Sequence, residues 1–232
     1  MLGGVVLSLV FLLACAPASN AQSADVWVVH GIRGQDLNLS PDLPVDISVN
    51  GKGTLPGFTF GQIAGPLSLA PGQYEIKIAA ANPQKPYSNP PLITAKVSFG
   101  LGEDVVVIAH LDAGGMPTAS RFALDLTAPG FPFNRLIVHH TAAAPAVDAY
   151  LNRLDFIFPQ NLRLANVTNG VQGTAIALAG WWELYLTPAG VPAPVYGPLY
   201  GPVLPNWIYT IFVVGSLKNN SLTIILLPLL PQ

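Results

Sequence analysis

Val26-Trp27-Val28-Val29-His30-Gly31, a polar turn, and then Val45-Asp46-Ile47-Ser48-Val49-Asn50-Gly51 is the stretch that decides the fold, because the chain says it twice. About a hundred residues later come Leu136-Ile137-Val138-His139-His140-Thr141, a shorter Ala-rich turn, and Val147-Asp148-Ala149-Tyr150-Leu151-Asn152-Arg153. Each copy is an apolar run closed by histidine, followed by a Val-Asp pair that opens an alternating run reaching Asn. A period this long marks a duplicated domain rather than a solenoid, whose repeats are a few tens of residues.

Working outward, the first copy breaks into short runs bounded by Gly, Pro and Asn. Strands are expected at Val26–His30, Val45–Asn50, Phe58–Ile63, Gln73–Ala80, Leu92–Phe99, Asp104–Leu111 and Ser120–Leu126, from their β-branched and aromatic content and their alternation. The clearest is Tyr74-Glu75-Ile76-Lys77-Ile78, where Tyr74, Ile76 and Ile78 face one way and Glu75 and Lys77 the other. Leu69-Ala70-Pro71-Gly72 ahead of it is a turn. The second copy repeats the plan: Leu162–Val167, a turn at Leu178-Ala179-Gly180, then Trp181–Leu186, Trp207–Val214 and Ser221–Leu227. Seven short strands in about 100 residues predict an all-β chain of two tandem immunoglobulin-like β-sandwich domains. The expected bounds are 25–127 and 134–232, joined by the short linker Thr127–Phe133.

Composition agrees with short strands. The 232 residues are 51% hydrophobic and 9% charged, with 23 Pro and 22 Gly; an average soluble domain is roughly 25% charged, and this much turn punctuation opposes long helices. A net charge of -2 supplies no basic field for nucleic acid or an anionic membrane. Residues 134–232 hold four Lys/Arg and three Asp/Glu against six and nine in 25–133, so the second half is the more apolar. Residues 1–21 read as a secretory signal peptide: Leu2–Ala16 is apolar but too short to span a bilayer, and Ser19-Asn20-Ala21 offers the small residues a signal peptidase reads. Leu12-Leu13-Ala14-Cys15 gives a competing lipobox reading that leaves Cys15, the single cysteine, lipidated at the N-terminus. Both readings place the chain in the cell envelope or outside the cell, with membrane contact expected only if Cys15 is lipidated. With one cysteine there is no disulfide within the chain and no thiolate metal site.

The runs Asp25–His30, Val45-Asp46, Leu69–Ile76 and Leu136–Ala142 resemble the secreted bacterial "domain of unknown function 4397" family. The resemblance covers the first copy and the opening of the second, and fades after Phe158. It implies export or lipid anchoring and tandem copies of the domain; it brings no agreed activity and no catalytic residues.

Two groups of residues could carry chemistry. His30 with Asp46, and His140 with Asp148, could form a metal or acid–base pair in each domain, since imidazole plus carboxylate is a common zinc set; this is the basis of an alternative reading as a metal-dependent hydrolase. The same pairs could simply hydrogen-bond each other across a strand end. No third ligand recurs in both copies, and Gly-x-Ser-x-Gly, His-Glu-x-x-His and phosphate-cradling loops are missing, so neither an enzyme, nor a cofactor, nor a bound metal is expected. The second group is aromatic. Where the first copy has Gln73, Glu75 and Lys77, the second has Trp181, Glu183 and Tyr185. Trp181 and Tyr185 then share a water-facing side that can take a partner protein, a carbohydrate, or the neighbouring domain. The Pro- and Gly-rich segment Thr187–Asn206, with Tyr196 and Tyr200, is read as a loop that either recognises a partner or covers the sandwich. The expected role is an envelope or extracellular interaction module that binds through the aromatic and apolar surface of its second domain.

Overall fold

The computed structural model describes residues 23–232; the leader, with Cys15, lies outside the described residues. The first half contributes β1 (Ala24–His30), β2 (Val45–Val49), β3 (Lys52–Phe58), β4 (Ile63–Leu69), β5 (Gly72–Ala80), β6 (Pro91–Phe99), β7 (Asp104–Leu111) and β8 (Pro117–Ala123). The second contributes β9 (Phe133–His140), β10 (Val147–Arg153), β11 (Gln160–Val167), β12 (Val171–Leu178), β13 (Gly180–Pro188), β14 (Tyr196–Val203), β15 (Ile208–Val214) and β16 (Thr223–Leu229). The described residues are all-β, with four sheets of four strands, ordered β4-β1-β7-β8 and β3-β2-β5-β6 in the first half, β12-β9-β15-β16 and β11-β10-β13-β14 in the second. Adding eight to each label in the first half reproduces the second. Even the parallel pairs match, β1 with β7 and β9 with β15.

Each half is a β-sandwich of eight strands, one more than the runs expected in the first half and two more than the six expected in the second, where β12 and β14 are added. The run Phe58–Ile63 is not a strand; it is the turn from β3 to β4, with Gly61 in the left-handed region and Phe60 N–H donating to Asp42 O. The strands on either side of it carry Pro56 and Pro66, which look like breakers in the sequence. They are tolerated here because β3 and β4 are sheet edges, where a missing N–H can face solvent. The same holds throughout: every proline inside a strand of the described residues lies on an edge strand, except Pro188 at the last residue of β13. Thr187–Asn206 is corrected in the same way. It is not one loop, because Tyr196–Val203 forms edge strand β14, paired on one side only with β13.

The two halves stack face to face. A first core fills the sandwich of β2 and β5 against β1 and β7, with Ile47, Ile78, Val105 and Val107 at its centre. A third, with Leu151, Trp182, Leu186, Val138 and Val213, fills the second sandwich. Between them lies a core shared by both halves, where Val29, Val106, Ile108 and Phe122 meet Ile137, Phe212, Val214 and Ile225. The middle strands are therefore buried on both faces. Along β7, Val105, Val107, Ala109 and Leu111 enter the first core while Val106 and Ile108 enter the shared one. This is why β7 (DVVVIAHL) and β15 (IYTIFVV) read as continuous apolar runs, whereas β5, covered on one face, alternates. His139 sits in the shared core, stacked on Phe212 (centroids 4.6 Å apart) and edge-on to Phe122 (4.5 Å). Neither ring nitrogen has a hydrogen-bond partner among the described residues, and burial holds its pKa down to about 3.

Candidate functional site

The histidine–aspartate pairs are the first candidate, and the geometry takes them apart. His30 closes β1 and folds back over the loop that follows. Its Nε2 lies 2.9 Å from Leu43 O, an acceptor only, so that nitrogen carries the proton; Nδ1 accepts the N–H of Ile32 at 3.3 Å. His140 repeats the arrangement with Pro145 O at 2.9 Å and Ala142 N–H at 3.4 Å. Both nitrogens are thus committed, leaving no lone pair for a metal. Burial lowers the pKa of both rings, against the opposing carbonyl bonds, so each is held neutral.

The aspartates do a different job. Asp46 sits where β2 bulges away from β3 and Asp148 where β10 bulges away from β11. A bulge leaves backbone groups without ladder partners, and the carboxylates supply them. Asp46 accepts from Gly57 N–H (3.0 Å), Tyr87 N–H (2.8 Å) and Asn82 N–H (3.3 Å). Burial pushes its pKa up, but those three donors outweigh burial and hold it below the ordinary value. Asp148 accepts from Asn166 N–H (2.7 Å), Gly190 N–H (3.0 Å) and Arg163 (2.7 Å), which bring it down to about 2. Neither aspartate bonds its histidine, so the expected pairs do not form: each residue pins a different loop, and the repeat records two structural latches. Among the described residues no three His, Cys, Asp or Glu side chains converge to hold a metal. Asp46→Ala strips three N–H groups of their acceptor and is expected to lower unfolding stability by about 2–4 kcal/mol; urea titration checks it, and an unchanged midpoint would refute the latch.

The aromatic candidates divide. On β13, Trp182, Leu184 and Leu186 turn into the core, so Trp181, Glu183 and Tyr185 face outward, and Trp181 is 52% exposed. Tyr185 is cross-strand partner to Tyr150; their rings stack at 4.9 Å and 5°, and the Arg163 guanidinium lies 5.6 Å over Tyr150. Tyr200, opposite Glu183, is exposed and donates its hydroxyl to Glu183 Oε1 at 3.2 Å; that bond raises the Tyr200 pKa. Glu183 Oε2 takes Asn152 Nδ2–H at 2.9 Å. Tyr196 differs: it pairs with inward-facing Leu186 and packs on the third core, which removes it from the exposed set.

Beneath this face lies a cleft that the sequence reading missed. In the first half the edge strands β6 and β8 come together; their counterparts β14 and β16 do not. The gap is an apolar cavity of about 260 Å³ floored by Leu136, Leu151, Trp182 and Tyr209 and walled by Leu199, Val203, Ile224 and Leu226, with Glu183 and Tyr200 at its rim. Gly201 is the reason for it. It stands opposite Trp182 on the inward side, and a Cβ there would meet nothing within 4 Å. The polar tips of the floor are already tied, since Trp182 Nε1–H donates to Leu178 O (3.0 Å) and Tyr209 Oη accepts from Leu204 N–H (2.9 Å). What remains facing the cleft is hydrocarbon and ring.

Fold and site define a class: a double β-sandwich with an apolar cleft under an aromatic outer face, both in its second half. Residues 36–150 match the model of the family described as Domain of unknown function (DUF4397), and over that stretch the chain belongs to that family. The match runs from the turn after β1 to the middle of β10, across the junction between the halves. No curated protein matches the chain. Among solved structures the chain is similar to the Bacillus anthracis TIE protein, at 11% identity and a TM-score of 0.24, over 84% of this chain and 33% of that one. The chain thus spans about a third of that protein's length, and a likeness this weak carries no argument about function.

Proposed function

We propose that the protein is an exported, non-catalytic interaction module of the cell envelope or extracellular space, and that it takes an apolar side chain of a partner protein into the cleft between β14 and β16. Export is supported by the apolar leader with its small-residue processing sequence. The observation that carries the binding reading is the Gly201–Trp182 pair. A missing side chain opens hydrocarbon and aromatic surface to solvent at a rim where Glu183 and Tyr200 can orient a ligand, and concave apolar sites with a few placed polar groups are the usual form of binding pockets.

The experiment is Gly201→Leu. Its backbone is outside the left-handed region and its Cβ has open space, so leucine fills the cleft without strain and thermal stability is expected to hold or rise. Capture of envelope proteins on the immobilised chain should fall at least roughly tenfold, and a solvatochromic apolar dye should lose its bound-state emission. Undiminished capture by the filled variant would overturn the reading.

The exposed face favours a second reading, carbohydrate recognition, on one observation: the open Trp181 ring lies on the strand of Glu183, which Asn152 and Tyr200 hold in place. Trp181→Ala separates the two. It should abolish tryptophan quenching by polysaccharides if sugars are the ligand, and leave protein capture intact if they are not.

A further inference from the structure

The loop between β10 and β11, Leu154-Asp155-Phe156-Ile157-Phe158-Pro159, presents bulky apolar side chains to water. Phe156 is fully exposed, Ile157 is 75% and Phe158 64% exposed. The corresponding β2–β3 connection in the first half is only Asn50-Gly51. We infer that this loop is a lipid-inserting tip, which dips its three apolar residues into the interface of a zwitterionic bilayer.

Three features favour lipid over a protein groove. Two N–H groups and one carbonyl of the loop are satisfied by side chains of the loop and its stem. Asp155 Oδ1 accepts from Ile157 N–H and Phe158 N–H at 2.8 Å each, and Arg153 bonds Asp155 (3.0 Å), Ala179 O (2.9 Å) and Phe158 O. Gly180 leaves room for that clamp, since a Cβ there would meet Arg153 Nε at 2.6 Å. Internal satisfaction of backbone groups is what hydrocarbon demands, and a pre-formed loop loses little entropy on insertion. Second, three consecutive side chains are all exposed, so no single flat face would cover them; a lipid phase covers every direction at once. Third, the base carries further apolar surface. Leu154 N–H donates to Trp181 O and Ala179 N–H to Pro132 O, which brings exposed Trp181 and, beside Pro132, Phe131 (83% exposed) to the same end; aromatic rings gather at membrane interfaces.

The chain's own N-terminus points the same way. Gln232 follows β16, bonds Leu126 O and reaches Asp104 at 3.4 Å, and Asp104 is the β7 partner of Asp25 in β1. Ser23 therefore leaves from the end that carries the tip. Charge selects the lipid. Arg153 is paired with Asp155, Arg121 with Glu103 and Arg135 with Asp125, and Asp25 and Asp104 lie side by side at the neighbouring end of the first half, so among the described residues no unpaired cation of this end draws the tip to anionic headgroups.

The test uses the full chain with Cys15→Ser, labelled with an environment-sensitive fluorophore at Ile157→Cys or, as control, at Met116→Cys. Met116 is 66% exposed in the β7–β8 turn at the opposite end. On phosphatidylcholine vesicles the label at 157 should shift blue and be quenched by brominated acyl chains, insensitively to salt, while the label at 116 does neither. Replacing Phe156, Ile157 and Phe158 by Ser should cut the tip's contribution to vesicle co-flotation roughly tenfold or more, with thermal stability unchanged, and Gly201→Leu should leave it intact. Equal quenching at both labels, undiminished co-flotation of the triple variant, or a shift at 157 that depends on protein concentration and not on lipid would each overturn the proposal, the last by assigning the tip to a second copy of the chain.

Discussion

Moving from pH 7 to pH 5 is expected to remove about 2 kcal/mol of folding stability through His139 alone. In the unfolded chain the imidazole titrates near 6.5; in the folded chain burial between Phe122 and Phe212 holds it down to about 3. A histidine whose pKa falls on folding stabilises the native state fully above 6.5 and progressively less as pH drops toward 3, because the unfolded chain takes up a proton that the folded chain refuses. Burial also lowers the pKa of His30, His110 and His140, so they steepen the loss in the same direction. The carboxylates Asp46 and Asp148, depressed on folding, add their own loss only below about pH 4. Denaturant midpoints measured from pH 7.5 to 4.5 give the test. His139→Leu should flatten the curve by the His139 share and be no less stable at pH 7, since it replaces a buried imidazole without partners by hydrocarbon. A parent chain as stable at pH 5 as at pH 7 would show that His139 is hydrated.

The second large effect belongs to the opposite ring of the same stack. Phe212→Ala is expected to destabilise the chain by about 3–5 kcal/mol, and to destabilise both halves together. Phe212 is fully buried and lies in the core that the halves share, so its removal opens a void lined by Val106, Ile108 and Phe122 as well as by its own neighbours. Unfolding should remain a single transition by tryptophan fluorescence, which reads Trp27 in the first half and Trp181, Trp182 and Trp207 in the second, and by circular dichroism. Two separated transitions, with Trp27 unaffected, would mean that the halves unfold independently.

Strands covered on one face were plain in the sequence, because alternation such as Tyr74 to Ile78 survives only where water meets the other side. The doubly buried β7 and β15 were found as apolar runs, but nothing in a run says that its second face meets another sheet; the shared core needed the structure. Edge strands β3, β4 and β14 were hidden by prolines that look like breakers in sequence and are compatible with a rim in space. The histidine and aspartate repeat is plain in the sequence, but neither of its two readings, a ligand pair or a mutual hydrogen bond, is what the structure forms. Its residues recur because each half needs the same two latches, and sequence spacing cannot tell a latch from a ligand pair. Trp181 and Tyr185 were legible as outward-facing by comparing the copies; Tyr196 and Tyr200 were not, because their segment reads as a loop and the bulge between Leu184 and Leu186 shifts the register of the strand they form. Gly201 and the tip at Phe156 left weaker traces: a glycine reads as a turn and an apolar triplet reads as core.

The prolines spread along six of the eight rims have a consequence for how the molecule can be crowded. A strand with a gap in its row of donors offers a poor template for another chain to extend, and such rims resist the sideways growth that turns packed sheets into ribbons. Displayed densely on a surface, these molecules would stay separate from one another along most of their borders, leaving approach from the ends and the flat outer sides for whatever they are meant to meet.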